Sequence, residues 1–185
     1  MLSYLAPDHY FNNFYEISPD FLLSLGCKYL FSDVDNTLAP YEVAEPDERI
    51  SAWIRAVSDA GIVIVLVSNN GPERIELFNR TLGVRAYADC KKPSRKRLGA
   101  IMKELGATPK NTVFLGDQIY TDVLSARRLG AVYLNRFDAG TILRPGLITE
   151  AVIIHSTAAA DDQLAAFIQC PCGVFAASKQ RKNKA

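Results

Sequence analysis

Little in this chain of 185 residues speaks for a partner chosen by charge, because 21 Lys and Arg stand against 20 Asp and Glu, a formal net of +1. Nucleic-acid phosphates demand a concentrated basic face, so nucleic acid is not expected as a partner. Cysteine is scarce: Cys27, Cys90, Cys170 and Cys172 are too few and too unevenly placed for a disulfide scaffold. The first residues also lack a basic stretch followed by an apolar secretion core, and the two shortages together point to a reducing, cytoplasmic setting. No apolar run reaches the roughly 18–20 residues that span a bilayer; the strongest, Ile62 to Val67, stops at Ser68. A soluble protein is expected, peripheral to a membrane at most. His9 and His155 stand alone in weakly patterned segments, which makes neither a good metal ligand. Cys170 and Cys172 lack the second pair that a structural zinc wants, so free thiols are expected there. No internal repeat is apparent.

What is present is apolar content: 49% of the residues are hydrophobic and 10% aromatic, enough for a sizeable core within the length of one domain. Short apolar runs alternate with helical patterns. Lys28 to Ser32 reads as a buried strand ending in the acidic segment Asp33-Val34-Asp35. A helix is expected over Asp47 to Ala60, with Ile50, Trp53, Ile54 and Val57 on one face, and Ile62 to Val67 is the next strand. Pro72 opens a helix through Leu82, and Arg85 to Ala88 can form a short strand. Ser94 to Leu105 and Tyr120 to Leu129 are further helices, and Thr112 to Leu115 and Ala131 to Leu134 the remaining strands.

Strands alternating with helices imply a parallel sheet covered on both faces, a doubly wound, Rossmann-like α/β domain. Ligands bind such sheets beyond the carboxyl ends of the strands, where the strand order switches. Asp33, Ser68 and Asp117 each follow directly on an apolar strand and so converge on that rim. Residues 1–25 are expected as an apolar arm packing on the domain or on a partner, 26–150 as the domain, and 151–185 as a C-terminal extension with a frayed basic tail.

The segment Asp33-Val34-Asp35-Asn36-Thr37-Leu38 matches the DxDxT motif of the haloacid dehalogenase-like (HAD) superfamily, which the chain resembles. Phosphoryl transfer needs an in-line nucleophile and neutralised phosphoryl oxygens, and the resemblance implies Asp33 as nucleophile. Asp35, on the loop beyond the strand, can swing to the leaving-group side as general acid and later take a proton from the attacking water. Gly116-Asp117-Gln118-Ile119-Tyr120-Thr121-Asp122 resembles the superfamily's GDxxxxD motif. An anionic nucleophile approaching a phosphate needs a cation, and hard oxygen ligands select magnesium. The resemblance assigns Mg2+ to the Asp33 carboxylate, the Asp35 backbone carbonyl and Asp117, with Asp122 and Thr37 orienting neighbours.

Ser68 matches the second motif, where its hydroxyl and the backbone N–H of Asn69 hydrogen-bond a phosphoryl oxygen. Lys92 matches the third, compensating phosphate charge and steadying Asp33; Lys91 is the adjacent rival, and Pro93 right after Lys92 favours Lys92.

Thr37 to Ser68 holds only a short flap, one helix and its strand, and Ser68 to Lys92 only another helix and short strand, so there is no room for a cap domain. The capless layout with DVDNTL, SNN and KKP resembles HAD subfamily IIIA, and within it the YqeG-type branch, similar to phosphatidylglycerophosphate phosphatases. That implies a phosphatase with an open site and a lipid-linked phosphate or other large ester as substrate. A phosphatase for a soluble sugar, nucleotide or cofactor phosphate, and a non-catalytic binding protein on the same fold, are the alternatives. The aromatic arm and the tail residues Lys179, Arg181, Lys182 and Lys184 could touch an anionic membrane. Open-sited relatives often assemble, which leaves a homo-oligomer open.

Overall fold

The computed structural model describes residues 7–136, and the architecture follows from how their apolar residues alternate. Strands β1 (His9–Phe11), β2 (Tyr29–Ser32), β3 (Val63–Val67), β4 (Arg85–Tyr87), β5 (Thr112–Gly116) and β6 (Val132–Arg136) form one sheet in the order β1-β6-β5-β2-β3-β4. Every pairing is parallel. From β2 the chain winds outward to β3 and β4, then returns to the other side of β2 for β5 and β6. The switch of strand order therefore falls between β2 and β5, where this fold opens a crevice.

Successive side chains of a strand point to opposite faces, so a parallel strand covered on both sides must be apolar throughout. Leu30, Ile64, Leu66, Val113 and Leu115 face one core with Ile50, Trp53, Ile54 and Val57 of α2 (Glu48–Asp59) and Ile75 and Phe78 of α3 (Pro72–Asn79). Phe31, Val65, Val67 and Phe114 face the other, against Leu98, Ile101 and Met102 of α4 (Arg95–Leu105) and Ala126 of α5 (Leu124–Leu129). Burying one such side chain is worth about 1.5–3 kcal/mol. Helix starts are fixed chemically: Asp47 Oδ1 accepts the Ile50 N–H at 2.8 Å and Ser94 caps α4. Gly106 ends α4 in the left-handed region at φ 69°, where a side chain would be strained.

The sequence pattern predicts five strands, and the structure has a sixth. His9–Phe11, expected within a packing arm, adds to the β6 edge, with the Asp8 carboxylate accepting the Tyr133 N–H at 2.8 Å. Three residues are too few for alternation to register. The following Phe14, Ile17 and Leu22, the last in α1 (Pro19–Ser24), belong to the core, and Trp53 Nε1 donates to the Ile17 carbonyl at 2.8 Å. Two helices are shorter than their patterns. Helix α3 stops at Asn79, whose side-chain amide bonds both the N–H and the carbonyl of Val84 and turns the chain. The helix expected from Tyr120 begins instead as a π-helical turn, Ile119–Val123, before α5.

Among the described residues no helix is long and apolar enough to cross a membrane. His155, Cys170, Cys172, the basic tail and the boundary at 150 lie outside the described residues; Cys27 and Cys90 are buried free thiols.

Candidate active site

Beyond the β2 and β5 ends, four charged side chains meet. The Asp33 N–H donates to the Leu115 carbonyl at 2.8 Å, extending the β2–β5 ladder by one residue so that Asp33 leaves the sheet beside Gly116. Lys92 Nζ lies 2.6 Å from Asp33 Oδ1, 2.7 Å from Asp122 Oδ1 and 3.0 Å from the Val67 carbonyl. All three ammonium protons are thus committed, and the lysine side chain is only 3% exposed. Thr37 Oγ1 lies 3.3 Å from both Asp33 Oδ2 and Asp117 Oδ1 and can donate to either. Asp122 Oδ2 accepts the Gln118 N–H at 3.1 Å. Pulling Asp122 inward to meet both partners accounts for the wide π-helical turn, a distortion that often marks functional positions.

Gly116 is a steric necessity. A Cβ there would lie 2.5 Å from Asp122 Cγ, so any side chain would evict that carboxylate.

One lysine against the carboxylates of Asp33, Asp117 and Asp122 leaves the cluster short of positive charge. Burial pushes Asp33 up to about 6 despite the pull of Lys92, with Asp122 and Asp35 adding to the rise. Burial, then Asp122 and Asp33, pushes Asp117 up to about 8. Burial works against the Lys92 charge as well, but Asp122 and Asp33 prevail and hold the ammonium above its ordinary value. One oxygen from each of the three aspartates lies within 4.8 Å of the others, and the buried Asp117 Oδ2 has no hydrogen-bond partner. An all-oxygen, electron-rich set with an orphaned donor fits a hard divalent cation.

Asp35 is held differently. Its Oδ1 accepts from Arg74 Nη2 at 2.8 Å and from Nε at 3.2 Å, and its Oδ2 accepts from Asn70 Nδ2. The carboxylate is thereby kept out of the aspartate cluster, compatible with its carbonyl, rather than its side chain, as a metal donor.

Ser68 is buried, and its Oγ accepts the Asn70 N–H at 3.0 Å, which leaves its own proton to donate. Asn69 clasps the Lys92 backbone, its Oδ1 accepting the Lys92 N–H and its Nδ2 donating to the Lys92 carbonyl. The expected phosphoryl contact of Asn69 used only its backbone; the side chain is what holds Lys92 in register. Lys91, at φ 54° and exposed, points elsewhere.

Sequence reasoning missed Arg74, in the first turn of α3, and Asn70, in the loop just before the helix. It also missed Asn135, whose Nδ2 donates to the Asp117 carbonyl at 3.4 Å and to the buried Tyr133 hydroxyl at 3.3 Å. Polar Asn135, directly after the apolar run Ala131 to Leu134, was the available sign.

A family model described as haloacid dehalogenase-like hydrolase matches residues 9–130. The probable phosphatase YqeG of Bacillus subtilis is 30% identical over 127 residues, which cover 69% of this chain and 74% of that protein. Among solved structures, a hypothetical protein from Xanthomonas campestris aligns with a TM-score of 0.49 at 19% identity, over 63% of this chain and 72% of its own. The cobalt-bound deoxy-D-mannose-octulosonate 8-phosphate phosphatase from Haemophilus influenzae aligns with a TM-score of 0.47 at 19% identity, over 60% and 69%.

Proposed function

The chain belongs to the haloacid dehalogenase-like hydrolases, and on that premise we propose that it is a magnesium-dependent phosphomonoester hydrolase working through an aspartyl-phosphate on Asp33. The observation that carries this reading is the cluster of Asp33, Lys92, Asp117 and Asp122 at the strand-order switch, with a carboxylate surplus that a bound cation would offset.

Asp33 Oδ attacks phosphorus, the bond from phosphorus to the ester oxygen breaks, and Asp35 gives its proton to the departing alcohol. Water then loses a proton to Asp35 and attacks phosphorus, the bond to Asp33 breaks, and inorganic phosphate leaves with both carboxyl groups restored. Lys92 and Thr37 fix the attacking carboxylate through Oδ1 and Oδ2 respectively. Ser68 and the backbone N–H of Asn69 are assigned to a phosphoryl oxygen. Because every Lys92 proton is engaged, its aid to the phosphoryl group comes through its field or by exchanging a partner. Asp33, Asp117 and the Asp35 carbonyl would hold the Mg2+, with Asp122 orienting Lys92 and the Gln118 N–H; when bound, the ion neutralises phosphoryl oxygens and draws them toward the nucleophile.

The substrate we favour is a large or lipid-linked monoester such as phosphatidylglycerophosphate. Supporting it are the short, capless connection after Asp35 and the exposed Tyr41, Val43 and Tyr120 on the segments that bear Asp35 and Asp122. Magnesium-dependent release of phosphate from p-nitrophenyl phosphate, lost in Asp33→Asn, is the expected outcome; a metal-independent or inactive wild type would favour a binding protein. A side-by-side panel of phospholipid and soluble monoesters settles the substrate, and preference for soluble esters would remove the lipid assignment.

A further inference from the structure

Arg74 has no place in the reaction scheme above, yet it is among the most heavily engaged cations near the site. It sits in the first turn of α3, its side chain 17% exposed, against 11% for Asp35. Two of its nitrogens, Nη2 and Nε, converge on Asp35 Oδ1. The third, Nη1, donates to the Ala44 carbonyl in the flap at 3.1 Å, and the guanidinium carbon stands 5.2 Å from the Phe78 ring centroid. Every nitrogen is used and the plane rests on a buried ring, so this guanidinium is a brace rather than a cation waiting for a ligand.

A second brace completes the arrangement. Asn70 Nδ2 holds Asp35 Oδ2, and Asn70 is fixed through its own N–H by Ser68 Oγ. Arg80, just past the end of the same helix, pairs with Glu45 one residue further along the flap. That pair is largely exposed and adds little by itself, whereas the Arg74 contacts are not. Asp35 is thus gripped at both oxygens, and one of the grips also fastens the flap.

We propose that Arg74 is a positioning residue for proton transfer: with Asn70 it fixes the Asp35 carboxyl group and couples that orientation to the flap residue Ala44. The inference rests on the reading of Asp35 as general acid. A misplacement of about 1 Å can cost on the order of 100-fold in rate, and the cost must depend on how much the leaving group needs a proton. An alkoxide needs one; p-nitrophenolate leaves without it.

The test compares kcat and KM for p-nitrophenyl phosphate and glycerol phosphate in wild type, Asp35→Asn, Arg74→Met and Arg74→Lys, with thermal melting to confirm folding. Arg74→Met should lower kcat/KM, which reports departure of the alcohol and not the later hydrolysis of the phosphoenzyme that both esters share, about 30- to 100-fold on the alkyl ester and less than about 3-fold on the aryl ester. Arg74→Lys, the milder change, keeps the charge but not the paired donors, and should recover the alkyl rate only in part. Equal losses in kcat/KM on both esters, or full recovery with lysine, would overturn the proposal, the last because charge alone would then suffice. If Asp35→Asn itself does not discriminate between the esters, the general-acid reading fails first; if it discriminates and Arg74→Met does not, only the role of Arg74 falls.

Discussion

Asp33 and Asp35 leave the same strand two residues apart, yet they are held by opposite means. Asp33 shares one lysine with Asp122 and lies within reach of Asp117, so its surroundings carry more negative charge than the protein offsets. Asp35 faces a guanidinium and an amide of its own, and its account is closed within the chain. The difference teaches how one loop can supply two carboxylates with separate tasks. A site left electron-rich draws in a cation and an electrophile, whereas a side chain matched by neutral and cationic donors is oriented without recruiting anything.

The largest effect should come from breaking the Asp33 side. Asp33→Asn removes the proposed nucleophile and should lower kcat/KM on p-nitrophenyl phosphate by at least about 10⁴-fold with the fold intact; Asp35→Asn should spare much more of that aryl kcat/KM. Next, Lys92→Met leaves two buried carboxylates without their shared partner, which should cost about 3–5 kcal/mol in urea unfolding without metal.

Metal and pH sharpen the comparison further. Carboxyl groups pushed up in the folded state stabilise it while protonated and lose that contribution as pH rises through their folded values. For Asp33 and Asp117 that window runs from the ordinary carboxylate range up to about 6 and about 8. Metal-free protein should therefore lose melting temperature across it. Magnesium should restore most at the alkaline end, by about 2.7 kcal/mol at a hundredfold excess over its Kd. Asp35→Asn should leave that magnesium response nearly unchanged. Gly116→Ala should cost at least the about 1–3 kcal/mol of overpacking, accompanied by weaker magnesium stabilisation as Asp122 is displaced from Lys92.

The Asp33 side was legible in the sequence because its parts are apolar strands that stop abruptly at an acid, a serine or a glycine-aspartate pair. Parallel topology then brings those stops to one rim. The Asp35 side was not, since Arg74 lies on a short amphipathic helix where an arginine ordinarily faces solvent, and only the fold reveals that α3 starts next to the first loop. Strand β1 escaped for a different reason: His9–Phe11 pairs through its backbone, and its side chains alternate too briefly to leave a pattern. The π-helical turn was hidden because apolar spacing over Tyr120 to Leu129 suits an ordinary helix, while the inward pull on Asp122 comes from Lys92, distant in sequence.

The most direct examination of the central claim is to trap the covalent intermediate. Wild type mixed with magnesium and p-nitrophenyl phosphate, quenched in acid and reduced with borohydride, should carry the reduced side chain at position 33 by peptide mass spectrometry. The modification should vanish when either magnesium or substrate is left out. Phosphate release at full rate with residue 33 unmodified, or with the adduct on another residue, would contradict the account.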